Sequence, residues 1–127
     1  MEQALMTAKG ITGQLDLLED RVRIKRRTGV YAIITQGFRA DKNISINEIS
    51  SVGLRKAGTW NGYIEIVIEG REPKQGLLEA ALDEYAITFK VRHQAAFEKI
   101  KAAIEEKMAV MKQGGTSLPN ADNNKAG

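Results

Sequence analysis

The chain has 127 residues, 43% of them hydrophobic, with a formal net charge of +3 and no cysteine. This suffices for one domain that buries a core without staples, and it excludes disulfides, a thiolate nucleophile and thiolate metal ligands. The charge is too small to argue for nucleic acid by itself, and the longest apolar runs fall far short of the ~20 residues that cross a bilayer.

The first ten residues, MEQALMTAKG, lack a basic stretch followed by an apolar one, so they read as no secretory signal. The chain is accordingly read as soluble and cytoplasmic, with residues 1–12 as an N-terminal extension. A hairpin comes next. Leu15, Leu17 and Leu18 lead into Glu19-Asp20, after which Val22 and Ile24 alternate with charges, so strands over 14–19 and 21–27 are expected to pair across a tight turn. Val22 and Ile24 would face the core, with Arg21, Arg23, Lys25 and Arg27 on the other side.

Residues 30–38 (VYAIITQGF) fit a strand by their β-branched and aromatic content, or a short helical turn between Gly29 and Gly37. Ile44 and Ile46 then share a face of a short strand. Asn47-Glu48 shifts the phase, and Val52 and Leu54 share a face of the next strand. Asn61-Gly62 reads as a type I′ hairpin turn, whose central residues need positive φ. Ile64, Ile66 and Ile68 alternate behind it against Tyr63, Glu65, Val67 and Glu69. Residues 70–76 form a loop, the state of 77–82 stays open, and Tyr85, Ile87 and Phe89 mark a last strand.

A helix over about 92–112 closes the domain. Phe97, Ile100, Ile104, Met108 and Met111 form one stripe at helical spacing, and Lys101 and Glu105 lie one turn apart on the opposite face. Gly114-Gly115 stops it. The domain is thus read as 13–112. Residues 113–127, rich in Gly, Asn and Ala with one large apolar residue, Leu118, read as a disordered polar tail. The fold class expected is mainly β with one C-terminal α-helix, a small twisted sheet or barrel with the helix as its plug.

Here the residues resemble a family. The run DKNISINEISSVGLRKAG, then NGYIEIVIEG, then ALDEYAITF, and the helix from AFEKIKAAIEE are similar to the short bacterial pleckstrin-homology-like (PH-like) domains of unknown function. The matching positions run from Lys42, Ile44, Ile46, Ile49 and Val52, through Asn61, Gly62, Tyr63 and Gly70, to Ala81, Asp83, Phe89, Phe97 and Ile104. The resemblance covers roughly 13–108 and implies a strongly bent sheet of seven strands, partly closed as a roll, with the helix capping one open end. The periodicity supplies six strands, and a seventh if 30–34 or 77–82 is extended. The family's C-terminal helical appendix is replaced here by the polar tail. The resemblance also implies a module that binds anionic headgroups, peptides or proteins, and it brings no catalytic residue. Some bacterial members assemble into rings.

Two surfaces stand out. RVRIKRR places five cations in seven residues, Arg21, Arg23, Lys25, Arg26 and Arg27, with the alternate ones forming a row ~20 Å long. Arginine forks suit phosphate, which points to an anionic ligand or membrane surface; the same row also reads as the solvated face of a half-buried sheet, with Glu65 and Glu69 as neutralising acids. Trp60, the sole tryptophan, sits at a hairpin tip, where it either anchors a partner or folds back over Tyr63. Met108, Val110 and Met111 lie where a ~30 Å helix overhangs a small roll, and they suit contact with another copy, together with the edges of the strands over 63–69 and 85–91; a frayed last turn is the other reading. His93, the sole histidine, reads as a surface or capping residue. No phosphate-binding loop and no cluster with metal-ligand spacing is present in the sequence. The function expected is therefore a non-enzymatic binding or scaffolding module without a cofactor. Its partner would be a protein, including itself as a homo-oligomer, or an anionic lipid surface through the basic strand with the protein peripheral to the membrane. Nucleic acid is disfavoured by the low charge and few aromatics.

Overall fold

The computed structural model describes residues 3–26, 41–71 and 85–114. They form seven strands and a helix: β1 Met6–Lys9, β2 Gly13–Leu17, β3 Arg21–Arg26, β4 Lys42–Ser45, β5 Ile49–Arg55, β6 Gly62–Ile68, β7 Ala86–Phe89 and α1 Gln94–Gly114. Two antiparallel sheets result, ordered β1-β2-β3-β4 and β5-β6-β7. The expected mainly β fold with a C-terminal helix is what the chain adopts. The segments 30–38, 77–82 and 115–127 lie outside the described residues.

The period-2 pattern sets the faces. In the first sheet Leu17 pairs with Val22 and Leu15 with Ile24, and Ile44 continues the row from Val22; all are buried. A 3-10 turn, Ile46–Glu48, carries the chain to the second sheet. It is held by the Ser45 backbone N–H donating to Glu48 Oε1 at 3.1 Å, and it supplies the phase shift seen at Asn47-Glu48. A bulge between Ile49 and Ser51 follows, where the Ser50 hydroxyl donates to the Val67 carbonyl at 3.0 Å. Both sheets and α1 share one core: Phe97, Ile100 and Ile104 are fully buried against Leu15, Ile24, Ile64, Ile87 and Phe89. The Phe89 and Phe97 rings stack at 4.6 Å between centroids and 11° between planes.

Four expectations change. Residues 1–12, read as an extension, contain strand β1, whose Ala8 is buried opposite Leu15. Asn61-Gly62 is no type I′ turn. Gly62 already lies in β6 opposite Phe89, and among the described glycines only Gly70 has positive φ, at 86°. Glycine is needed at Gly62 for closeness: a Cβ there would strike the Arg55 carbonyl, come within 2.7 Å of the Ala57 nitrogen and 2.8 Å of the Phe89 ring. Thirdly, β6 has no free edge, because β5 and β7 flank it, and every residue from Gly62 to Val67 is buried. Finally, the outer side of β7 is laced to the β1–β2 turn: the Ile11 N–H donates to the Thr88 carbonyl at 2.7 Å, and the Thr88 N–H donates to Thr12 Oγ1 at 3.0 Å.

Candidate interaction surfaces

Strand β3 presents Arg21, Arg23 and Lys25 on the face away from the core, as alternation requires. Glu65 and Glu69, expected to neutralise the row, belong to the strand and turn of the other sheet, and among the described residues the acids paired with the row are Asp16 and Asp20. Asp16 lies opposite Arg23, and Thr7 opposite Asp16, in one row across the sheet. The Asp16 carboxylate accepts hydrogen bonds from Arg23 Nε at 3.2 Å and Nη2 at 3.0 Å, from Gln14 Nε2 at 2.8 Å and from the Thr7 hydroxyl at 2.9 Å. Only 1% of Asp16 is exposed. Burial works to raise its pKa, but the hydrogen bonds from Gln14, Arg23 and Thr7, with the Arg23 charge, outweigh burial and hold it below its ordinary value. Arg21 donates to Asp20 at 2.9 Å and to Asn43 at 3.2 Å. Two of the row's cations are therefore engaged within the sheet, leaving Lys25 beside Gln14. Arg26 pairs in register with Gly13, and Arg27 lies outside the described residues.

Trp60 sits in the 56–61 connection between β5 and β6. It does not fold back: 73% of it is exposed, whereas Tyr63 is buried. Its loop is fastened by the Gly58 N–H donating to the Trp60 carbonyl at 2.9 Å. The Ala57 N–H donates to Gln94 Oε1 at 2.7 Å, at the start of α1. His93 acts as a turn fastener, its Nδ1 accepting from the Lys90 N–H at 3.1 Å. Partial desolvation, then the charges of Arg92 and Lys90, lower its pKa, which keeps that nitrogen available as an acceptor.

At the far end of α1, Met108 and Met111 do not overhang; both are partly buried against the core. The exposed apolar residues are Val110 and Leu5, at 60% and 56%. With Met6, Leu17, Ala103 and Met111 they line a groove of about 580 Å³ between β1 and the helix. Lys107 Nζ and Glu19 Oε2 lie 3.8 Å apart at its rim. Leu5 carries no signal in the sequence because β1 carries none, whereas Val110 stands exposed as the reading of an overhanging helix end expects. Among the described residues no group of His, Asp or Glu could hold a metal ion, and no helix is long and apolar enough to cross a membrane.

The arrangement defines a small two-sheet β domain closed by a C-terminal helix, with its distinctive chemistry on outer surfaces. The chain belongs to the family described as Domain of unknown function (DUF4429), whose model matches residues 19–105. No curated protein and no solved structure matches it significantly.

Proposed function

We propose that this chain is a non-enzymatic, PH-like binding module whose partner is a protein, and that a second copy of itself occupies the groove between β1 and the end of α1. The division of strands into four and three, followed by a helix packed on the core, supports the PH-like reading. The observation that carries the binding role is the groove itself. Leu5 and Val110 stand exposed on either side of it, next to a strand at the outer edge of its sheet, where backbone groups can take another strand. A two-fold arrangement would use the same patch on both copies and close without further growth. Binding of β3 to an anionic membrane has less support, since Arg21 and Arg23 already meet Asp20 and Asp16.

Light scattering at tens of micromolar protein, at low and at moderate salt, tests this reading. A dimer or larger closed assembly is expected at both. Val110→Glu and Leu5→Glu should dissociate it with little change in melting temperature, because exposed substitutions usually stay within about 0.5 kcal/mol. A wild-type monomer under both conditions would sink the self-association.

A further inference from the structure

The 56–61 loop and the Val91–His93 turn adjoin. Gly62 pairs with Phe89 at their inner ends, and the Ala57–Gln94 hydrogen bond ties them together. Each loop holds out one apolar side chain, Trp60 at 73% exposure and Val91 at 61%. Arg55, Lys56, Lys90 and Arg92 flank these two and are all exposed. Neither 55–62 nor 86–97 contains an acid. None of the four cations forms an ion pair with a described residue. The first acid of α1, Glu98, accepts a hydrogen bond from Gln94 at 3.1 Å. The lowered pKa of His93, to which Arg92 and Lys90 contribute after desolvation, agrees with a positive local field.

We propose that this end of the domain docks on the surface of an anionic phospholipid bilayer. Trp60 and Val91 enter the boundary between headgroups and acyl chains, and the four cations meet lipid phosphates. The four cations, none ion-paired with a described residue although Lys56 borders Glu98 and Glu105 across a shallow pocket, complement phosphodiester charge, each contributing about fivefold in partitioning near an anionic leaflet. A Trp ring, apolar with one polar edge, settles at headgroup level. A bilayer offers the charge and the apolar boundary in one plane, which a nucleic acid does not do for Val91. The surface is separate from the groove at the other end of α1 and from strand β3.

Because Trp60 is the sole tryptophan, its emission reports docking directly in the full chain. Vesicles of mixed phosphatidylglycerol and phosphatidylcholine should shift it to the blue at about 0.1 M salt, and brominated lipid should quench it. The effect should fade toward 1 M salt as the Debye length falls from ~10 to ~3 Å. Lys56→Gln with Arg92→Gln should lower the partition coefficient about 25-fold, roughly fivefold per cation, while Lys25→Gln leaves it unchanged. Circular dichroism melting confirms that the variants fold. Unchanged emission with anionic vesicles, equal binding to pure phosphatidylcholine, or a loss that follows Lys25 would overturn the proposal. Binding to RNA or to an acidic polypeptide without any response to vesicles would overturn it too.

Discussion

Replacing Asp16 by Ala removes a carboxylate that sits 1% exposed in the middle of a sheet face and accepts four hydrogen bonds from three side chains. The loss has two parts. The Gln14 and Thr7 donors lose their acceptor, and the Arg23 guanidinium, on a side chain 20% exposed, is left without its counter-charge. Breaking a buried pair from one side costs about 3–5 kcal/mol, and the partial access of water to Arg23 places this case at the lower end, about 3 kcal/mol. For a domain of this size that corresponds to roughly 12 °C in melting temperature. Urea titrations at neutral pH measure it. The double substitution Asp16→Ala with Arg23→Ala should cost clearly less than the two single costs combined, because the second change removes the charge that the first stranded. The pH dependence has a definite sign. The folded pKa of Asp16 lies below the ordinary value of an aspartate, so the unfolded chain takes up the proton first. The contribution is full above the unfolded pKa and disappears as pH falls through the folded one. Wild type should thus lose stability below about pH 5 more steeply than Asp16→Asn. A cost for Asp16→Ala under about 1 kcal/mol, or strict additivity with Arg23→Ala, would refute the network as the source of the stability.

Two further outcomes follow from the packing. Gly62→Ala should destabilise by about 1–3 kcal/mol, the usual range for overpacking, since its Cβ would lie 2.7 Å from the Ala57 nitrogen and 2.8 Å from the Phe89 ring; Gly58→Ala, with nothing within 4 Å, should melt like wild type in the same scan. Phe97→Ala, which empties a fully buried site and removes the stack on Phe89, should cost about 3–5 kcal/mol in chemical denaturation.

Local order was legible where one residue type decides a face. Val22 and Ile24 between cations fixed the core side of β3, and the spacing of Phe97, Ile100 and Ile104 fixed the buried stripe of α1. Strand β1 was missed because Met6 and Ala8 are weak strand formers and gain their place only by pairing with Leu17 and Leu15. The dipeptide Asn61-Gly62 was misread because two different demands select glycine. Here the demand is a close approach between backbone and the Phe89 ring, which no local pattern carries. The Asp16 network needed the register of three strands, since Thr7, Asp16 and Arg23 become neighbours only across the sheet. Exposure of Trp60 likewise depends on how its loop is tied to Gln94.

The seam at Thr88 bears on how the domain forms. Thr12 and Thr88 are 76 residues apart, so the bonds that fasten the β1–β2 turn to β7 close a loop spanning most of the domain. Such a closure must overcome chain entropy before its contacts reward it, and topologies dominated by such separations fold slowly. During synthesis the N-terminal hairpin emerges well before its anchor exists. In that interval the four-stranded half presents Leu15, Ile24 and Ile44 with neither β7 nor Phe97 to cover them. The nascent chain is thus most prone to aggregation before its last quarter is made.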